Sequence, residues 1–380
     1  MKRLYFCTRA PIEIGAETHF DAVLQNTGAN SGNLFFMRAV ERQLHYESMM
    51  RGTLTHARDL SKHVDVIVIP AANWLSGRAP FLPELTRRIE NSNLPCVVIG
   101  LGAQSDSAQT LVALGPDARR FLKVVSERCH SIGVRGEYSA EVAASAGIHN
   151  IAVTGCPSFF WSLSPHRSLR RPARNNFAIS VNASRNRRVA DHLDPAKRRV
   201  ERDLYMQVLE RDGSFVTVQT EHTEGQLALG HGLDSCDPRD RLRLERFLER
   251  RESLDRLAAR CRVFTDIEAW IEASKSVDLV IGTRLHACLL GLAAGVPSIL
   301  ITIDSRTEEL ARLFHLPHYR ADSDRLYLGL EDLYQSTDFS PMLRAYPQRY
   351  EIYRRFLVDN GLDNHLRPPS ALARLRGMLR

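Results

Sequence analysis

VDLVIGTRLHACLLGLAAGVPSILIT, running from Val277 to Thr302, decides the architecture. An apolar run stops at Gly282, a small-residue helix occupies Arg284 to Gly295, and a second apolar run follows from Val296 to Thr302. Runs that are apolar on both faces are those of strands buried within a parallel sheet. A helix joining two of them makes a βαβ unit with a right-handed crossover. Arg284 and His286 stand at the strand-to-helix junction, polar entrants into an otherwise apolar helix. A ligand at the carboxyl end of this strand meets both side chains and the positive end of the helix. Arginine offers a rigid fork for carboxylate or phosphate, and histidine exchanges a proton near neutral pH. A cap hydrogen bond for His286 and a solvent ion pair for Arg284 are the packing alternative.

The same alternation extends outward in both directions. Toward the N-terminus, strands are expected at Leu4–Cys7, Val64–Pro70, Pro95–Gly102, His130–Gly136 and Asn150–Gly155, with helices at Pro80–Glu90, Asp117–Arg128 and Glu137–Gly147. The pattern dissolves between Phe160 and Asn176, a polar, basic stretch with two prolines that reads as a linker. It resumes with strands at Asn175–Asn182 and Ser214–Thr220, a charge-rich helical region over 237–260, and the helix Ile267–Ser276 before Val277. The fold class is therefore α/β with two Rossmann-like domains and an interdomain cleft, where ligand pockets preferentially lie. The expected division is 1–165 and 166–340, with 341–380 forming a C-terminal helix that packs back on the first domain and a basic tail.

Composition narrows the function classes. At 380 residues the chain exceeds one ordinary core, and 44% hydrophobic with 25% charged residues is a globular mixture. Lys plus Arg number 51 against 44 Asp plus Glu, a net charge of +7, with arginine dense at 167–174, 185–202 and 367–380. That balance suits an anionic small substrate or membrane face; no zinc-finger, RRM-like or zipper pattern supports nucleic acid as a partner. The seven cysteines occur singly, without CxxC, so neither a zinc site nor a disulfide framework is expected. The N-terminal apolar run is too short for a signal-peptide core and no run of about 20 apolar residues occurs, so the expected location is the cytoplasm.

Three further constellations are candidates for ligand contact. Asn30, Gly32 and Asn33 lie in a glycine-rich loop that runs into the helix after Asn26, where free N–H groups hold anions; the spacing is neither GxGxxG nor a P-loop. A loop shaped by turn and capping needs alone is the plainer reading. Arg135 follows a strand and faces either an anion in the cleft or Glu137 and Glu141. Beyond it, Gly155, Cys156, Pro157 and Ser158 turn the end of the next strand. A buried cysteine is preferred to a nucleophile at 156. Asn182 and Arg185 stand at the first strand end of the second half, while Arg187 and Arg188 face solvent. His222 with Glu224 is a weaker acid/base pair, and Asp304, Glu308 and Glu309 read as a solvated cap region. No metal-ligand spacing occurs.

The glycine-rich loop, the segment Val134–Ser139, the Thr-Gly-Cys-Pro turn and above all VDLVIGTRLHACLLGLAAGVPSILI together resemble the polysaccharide pyruvyl transferase family, over roughly residues 20–310. The resemblance implies a GT-B-like fold and transfer of the enolpyruvyl-derived group of phosphoenolpyruvate to two hydroxyls of a saccharide, forming a pyruvate ketal and releasing phosphate. It implies donor binding and acid/base chemistry for Arg284 and His286 and places Asn30 and Gly32 in the family's N-terminal loop; a donor with a carboxylate and a phosphate needs several cationic contacts, for which Arg284, Arg135 and Arg185 are the candidates in that order. Donor phosphoenolpyruvate takes the place of a cofactor, and the scheme requires no metal. A lipid-linked acceptor would place the protein against the inner membrane face. Two positions depart from the family: Asn33 and Cys156 stand where carboxylates are common. Two other readings share the fold, a glycosyltransferase using a nucleotide sugar and a noncatalytic saccharide-binding relative.

Overall fold

The structure, a computed structural model, describes residues 1–8, 18–52, 60–75, 79–104, 111–171, 178–185, 195–249, 253–327 and 329–368. Arg187, Arg188 and the basic end after Pro368 lie outside the described residues.

Parallel strand pairing builds the sheets of two lobes. In the first lobe β1 (Arg3–Cys7), β2 (Ser48–Gly52), β3 (Val66–Pro70) and β4 (Cys96–Ile99) run in the order β2-β1-β3-β4. A bridge from Leu101 to Val134 continues the sheet into β5 (Ile132–Val134) and β6 (Ile151–Val153). In the second lobe β7 (Ile179–Asn182), β8 (Phe215–Thr217), β9 (Cys261–Arg262), β10 (Leu279–Gly282), β11 (Ser298–Thr302) and β12 (His318–Arg320) run β12-β11-β10-β7-β8-β9. Counted within that lobe, the order is 3-2-1-4-5-6 of dinucleotide-binding sheets, with the topological switch point between the paired strands β7 and β10. The alternation pointed to two Rossmann-like lobes with a cleft between them and the family resemblance to a GT-B-like arrangement, and the structure has both. The charge-rich stretch folds as two short helices, Pro238–Leu248 and Ser253–Ala258.

The last helix, Ser340–Asp359, leaves the second lobe and lies on the first. Phe356 packs on Gly133 of β5, and the N–H groups of His130 and Ser131 donate to Asn360 Oδ1 (3.1 and 3.2 Å). Tyr353 donates from its hydroxyl to Gln43 Oε1 (2.7 Å), and Gln43 Nε2 donates to the Pro157 carbonyl (2.8 Å). A buried polar side chain so satisfied fixes the packing register around it. The surrounding apolar core takes Phe6, Phe35 and Val97 from the first lobe, Leu289 and Phe314 from the second, and Tyr346, Tyr350 and Tyr353 from this helix. Among the described residues, no helix is long and apolar enough to cross a membrane.

Candidate functional site

The crevice of the second lobe is built by one glycine and one asparagine. Gly282 ends β10 at φ +151°, where a Cβ would overlap the Asn182 carbonyl oxygen, so the two strand ends approach as only glycine allows. Asn182, fully buried, accepts from the Arg284 N–H at Oδ1 (2.7 Å) and donates from Nδ2 to the Ile281 carbonyl (3.3 Å). Arg284 is the N-cap of the helix Leu285–Ala293, and His286 falls in its first turn.

Arg284 turns toward β8. Its Nε donates to the Ala183 carbonyl (2.8 Å), and Nη2 donates to Thr220 Oγ1 and to Glu221 Oε1 (2.8 Å). Glu221 also accepts from the N–H groups of Gln219 and Thr220 (3.3 and 3.0 Å). Burial pushes the Glu221 carboxyl up, but the Arg284 charge and the Thr220 bonds overcome it and hold it at about 2.

His286 turns the other way, toward the first lobe. Its Nε2 lies 3.8 Å from Cys156 Sγ, which is 2.9 Å from Ser158 Oγ, and its ring lies 5.5 Å from that of Phe36. Burial and then the charges of Arg135, Arg306 and Arg284 hold the imidazole well below its usual range, so it is neutral at pH 7. Arg135 extends from the end of β5, donating from Nε to the Gly100 carbonyl (3.0 Å) and from Nη1 to Asn73 Oδ1 (2.9 Å). Neither Glu137 nor Glu141 pairs with it, because burial beneath Phe36 turns it inward. Arg306 opens the helix Ser305–Phe314, which follows β11. Its Nη2 donates to Asp304 Oδ2 (3.0 Å), while its buried Nε has no partner.

Other candidates have partners within the fold. Arg185 is paired with Glu224 (2.6 Å) over the Phe247 ring; although burial opposes its charge, Glu224 holds its pKa above the ordinary value. His222 pairs with Asp21 (3.0 Å), so His222 and Glu224 do not form one acid/base pair. Asn30 Oδ1 accepts from the Gly32 N–H (2.9 Å), and Asn33 Nδ2 donates to the Thr27 carbonyl (2.9 Å), closing the glycine-rich turn on itself. That loop still docks on the second lobe, where the Ser31 N–H donates to the Gln219 carbonyl (3.1 Å).

The structure therefore gathers His286, Arg135, Cys156 and Ser158 at the lobe boundary with Arg284 behind them, and leaves Arg185, Asn182, Asn30, Gly32 and Asn33 in supporting contacts. Two residues escaped the sequence reading. Arg306 follows a buried strand as Arg284 does, and that position was its available signal. Glu309, expected in a solvated cap, instead reaches across the lobes to accept from Ser139 N–H (2.8 Å) and Oγ (3.2 Å), and burial raises its pKa.

No curated protein matches the chain. Among solved structures, S. aureus MnaA with UDP is similar over 94% of each chain at 8% identity and TM-score 0.48. A putative UDP-N-acetylglucosamine 2-epimerase from Listeria monocytogenes is similar over 94% of each chain at 9% identity and TM-score 0.48. Anabaena Alr3699/HepE, in complex with UDP and glucose, aligns over 95% of this chain and 96% of its own at 10% identity and TM-score 0.40. Likenesses this distant transfer neither ligand nor reaction. A sequence profile described as Polysaccharide pyruvyl transferase matches residues 30–305, a span that holds Arg135, Cys156, Arg284 and His286. The chain belongs to the polysaccharide pyruvyl transferase family.

Proposed function

We propose that the chain transfers the pyruvyl group of phosphoenolpyruvate to two hydroxyls of a saccharide. The supporting observation is the convergence of Arg135 from the first lobe and His286 from the second on the Phe36 ring, at 5.8 and 5.5 Å from its centroid, with the charge of Arg306 acting on both. A small ligand with both a carboxylate and a phosphate suits two arginine charges that bear on one buried imidazole, whose repulsion its charge relieves. Arg284 contributes its charge from behind His286 while its Nε and Nη2 stay bonded to the second lobe.

In this reaction the C2–O bond to phosphate breaks and two C2–O bonds to the acceptor form. Two hydroxyl protons are released; one converts the C3 methylene to a methyl group and the other leaves with phosphate. A neutral His286 takes the first hydroxyl proton, and the imidazolium it becomes is stabilised by the adjacent phosphate. The acceptor we favour is a lipid-linked saccharide at the inner membrane face, in keeping with the cationic excess of the chain.

Phosphate release from phosphoenolpyruvate, measured across free and lipid-linked saccharides with H286A and R306A alongside, tests this reading. Acceptor-dependent release lost in both variants supports it. Binding of a nucleoside diphosphate with none of phosphoenolpyruvate turns the assignment to a nucleotide-sugar glycosyltransferase. The noncatalytic reading, which the internal engagement of Arg284 favours, predicts saccharide binding without turnover.

A further inference from the structure

The turn after β6 holds a thiol that the proposed chemistry leaves unused. Gly155, at φ +75°, swings the chain so that Cys156 and Ser158 point inward, both fully buried. Phe314 packs on Gly155, and Gln43 ties down the Pro157 carbonyl. The sulfur is thereby fixed between Ser158 Oγ (2.9 Å) and His286 Nε2 (3.8 Å). Phe36 fixes the imidazole from its other side. Among the described residues, no hydrogen bond engages Nδ1.

We infer that Cys156, backed by Ser158, is a positioning residue for His286: its sulfur holds the Nε2 edge without a counter-charge and leaves Nδ1 to the substrate. The imidazole Nε2–H donates to the sulfur, the thiol donates to Ser158 Oγ, and the Nδ1 lone pair is the site that receives a proton. The charged groups acting on the ring are Arg135 after β5, Arg306 after β11 and Arg284 on its own helix, all cationic. The nearby carboxylate of Glu309, which acts on Arg135, is bonded to Ser139. A carboxylate in place of the thiol would be the ring's one close anion and would convert it to imidazolium. A thiol, a weak acceptor and weak donor, orients the ring and leaves its charge alone.

The inference rests on the proposed function only for its kinetic arm. The primary test is NMR titration of the full chain labelled with 15N-histidine, the His286 signal being the one missing from H286Q. Wild type is compared with Cys156→Asp and with Cys156→Asn, which match in shape and differ in charge. The Asp variant is expected to raise the pH of half-titration of His286 by about 1–3 pH units, and the Asn variant to leave it in place. Equal movement in both variants, or none in either, overturns the inference. If the Asp variant does not fold, the wild-type tautomer decides: Nε2–H supports the assignment and Nδ1–H overturns it. Where turnover is measurable, the pH–rate profile should move with the NMR titration in the Asp variant. An NMR shift in a protein that never turns over phosphoenolpyruvate leaves the positioning role standing and removes the pyruvyl-transfer reading.

Discussion

Replacing Glu221 with glutamine isolates the buried ion pair that holds Arg284. The native carboxyl sits at about 2 against an ordinary 4.5, and a difference of about 2.5 pH units corresponds to about 3 kcal/mol of stability. Breaking a buried pair from one side gives a similar figure, about 3–5 kcal/mol, because the remaining charge is left without its partner. Glutamine also points an amide donor at Thr220 or Arg284, both already donors to this position. Urea unfolding at pH 7, followed by the buried Trp270 of the second lobe with Trp74 and Trp161 replaced by phenylalanine, reads the loss locally. At a slope of about 2 kcal/mol per molar the midpoint should fall by about 1.5 M. Because the native pKa is depressed, the contribution is fully present above the unfolded-state value of 4.5 and disappears as pH falls toward about 2. Wild type and Glu221→Gln should therefore converge on acidification across that window. A midpoint shift under about 0.3 M at pH 7, or a gap that persists unchanged at pH 2, would refute the argument.

Other expectations follow from the same geometry. Arg306→Ala should raise KM for phosphoenolpyruvate at least about tenfold, the loss of about 1.4 kcal/mol or more of charge-assisted binding, with little change in thermal midpoint; steady-state kinetics and calorimetry check both. Glu309→Ala should weaken the tie between the lobes, lowering the thermal midpoint by about 2–6 °C for the loss of about 1–2 kcal/mol. Gly136→Ala should act similarly by crowding the Glu309 side chain. Tyr353→Phe leaves Gln43 Oε1 without its donor and should cost about 1–3 kcal/mol in urea titrations; no measurable loss would mean that water replaces the hydroxyl.

The strands that carry the site were legible because strands inside a parallel sheet are buried at every position and read as runs dominated by apolar residues, as Leu279–Gly282 and Ser298–Thr302 do. Ser48–Gly52 was not, since an edge strand with largely exposed residues lacks that signature. The helix Ser305–Phe314 also went unassigned, although Asp304 and Thr307 form a reciprocal cap at its start. For the site, chain position gave which residues stand at strand ends but not which way each turns. Arg284 and Arg185 were read as ligand contacts on residue type, and their partners Glu221 and Glu224 lie 63 and 39 positions away. Glu309 meets Ser139 across 170 residues. Such pairings are products of tertiary packing and leave no periodic trace along the chain.

The long final helix also sets a schedule for synthesis. Its tyrosines and Phe356 complete a core whose other side is laid down by Phe6, Phe35 and Phe160. A ribosome that has finished Phe160 must add roughly 200 more residues before that helix is complete, a delay of about 10–40 s at ordinary elongation rates. Throughout that interval the nascent first lobe has an open aromatic groove, a surface suited to a holding chaperone and prone to misassociation. Arrival of that helix, rather than completion of the first six strands, is the event that closes it.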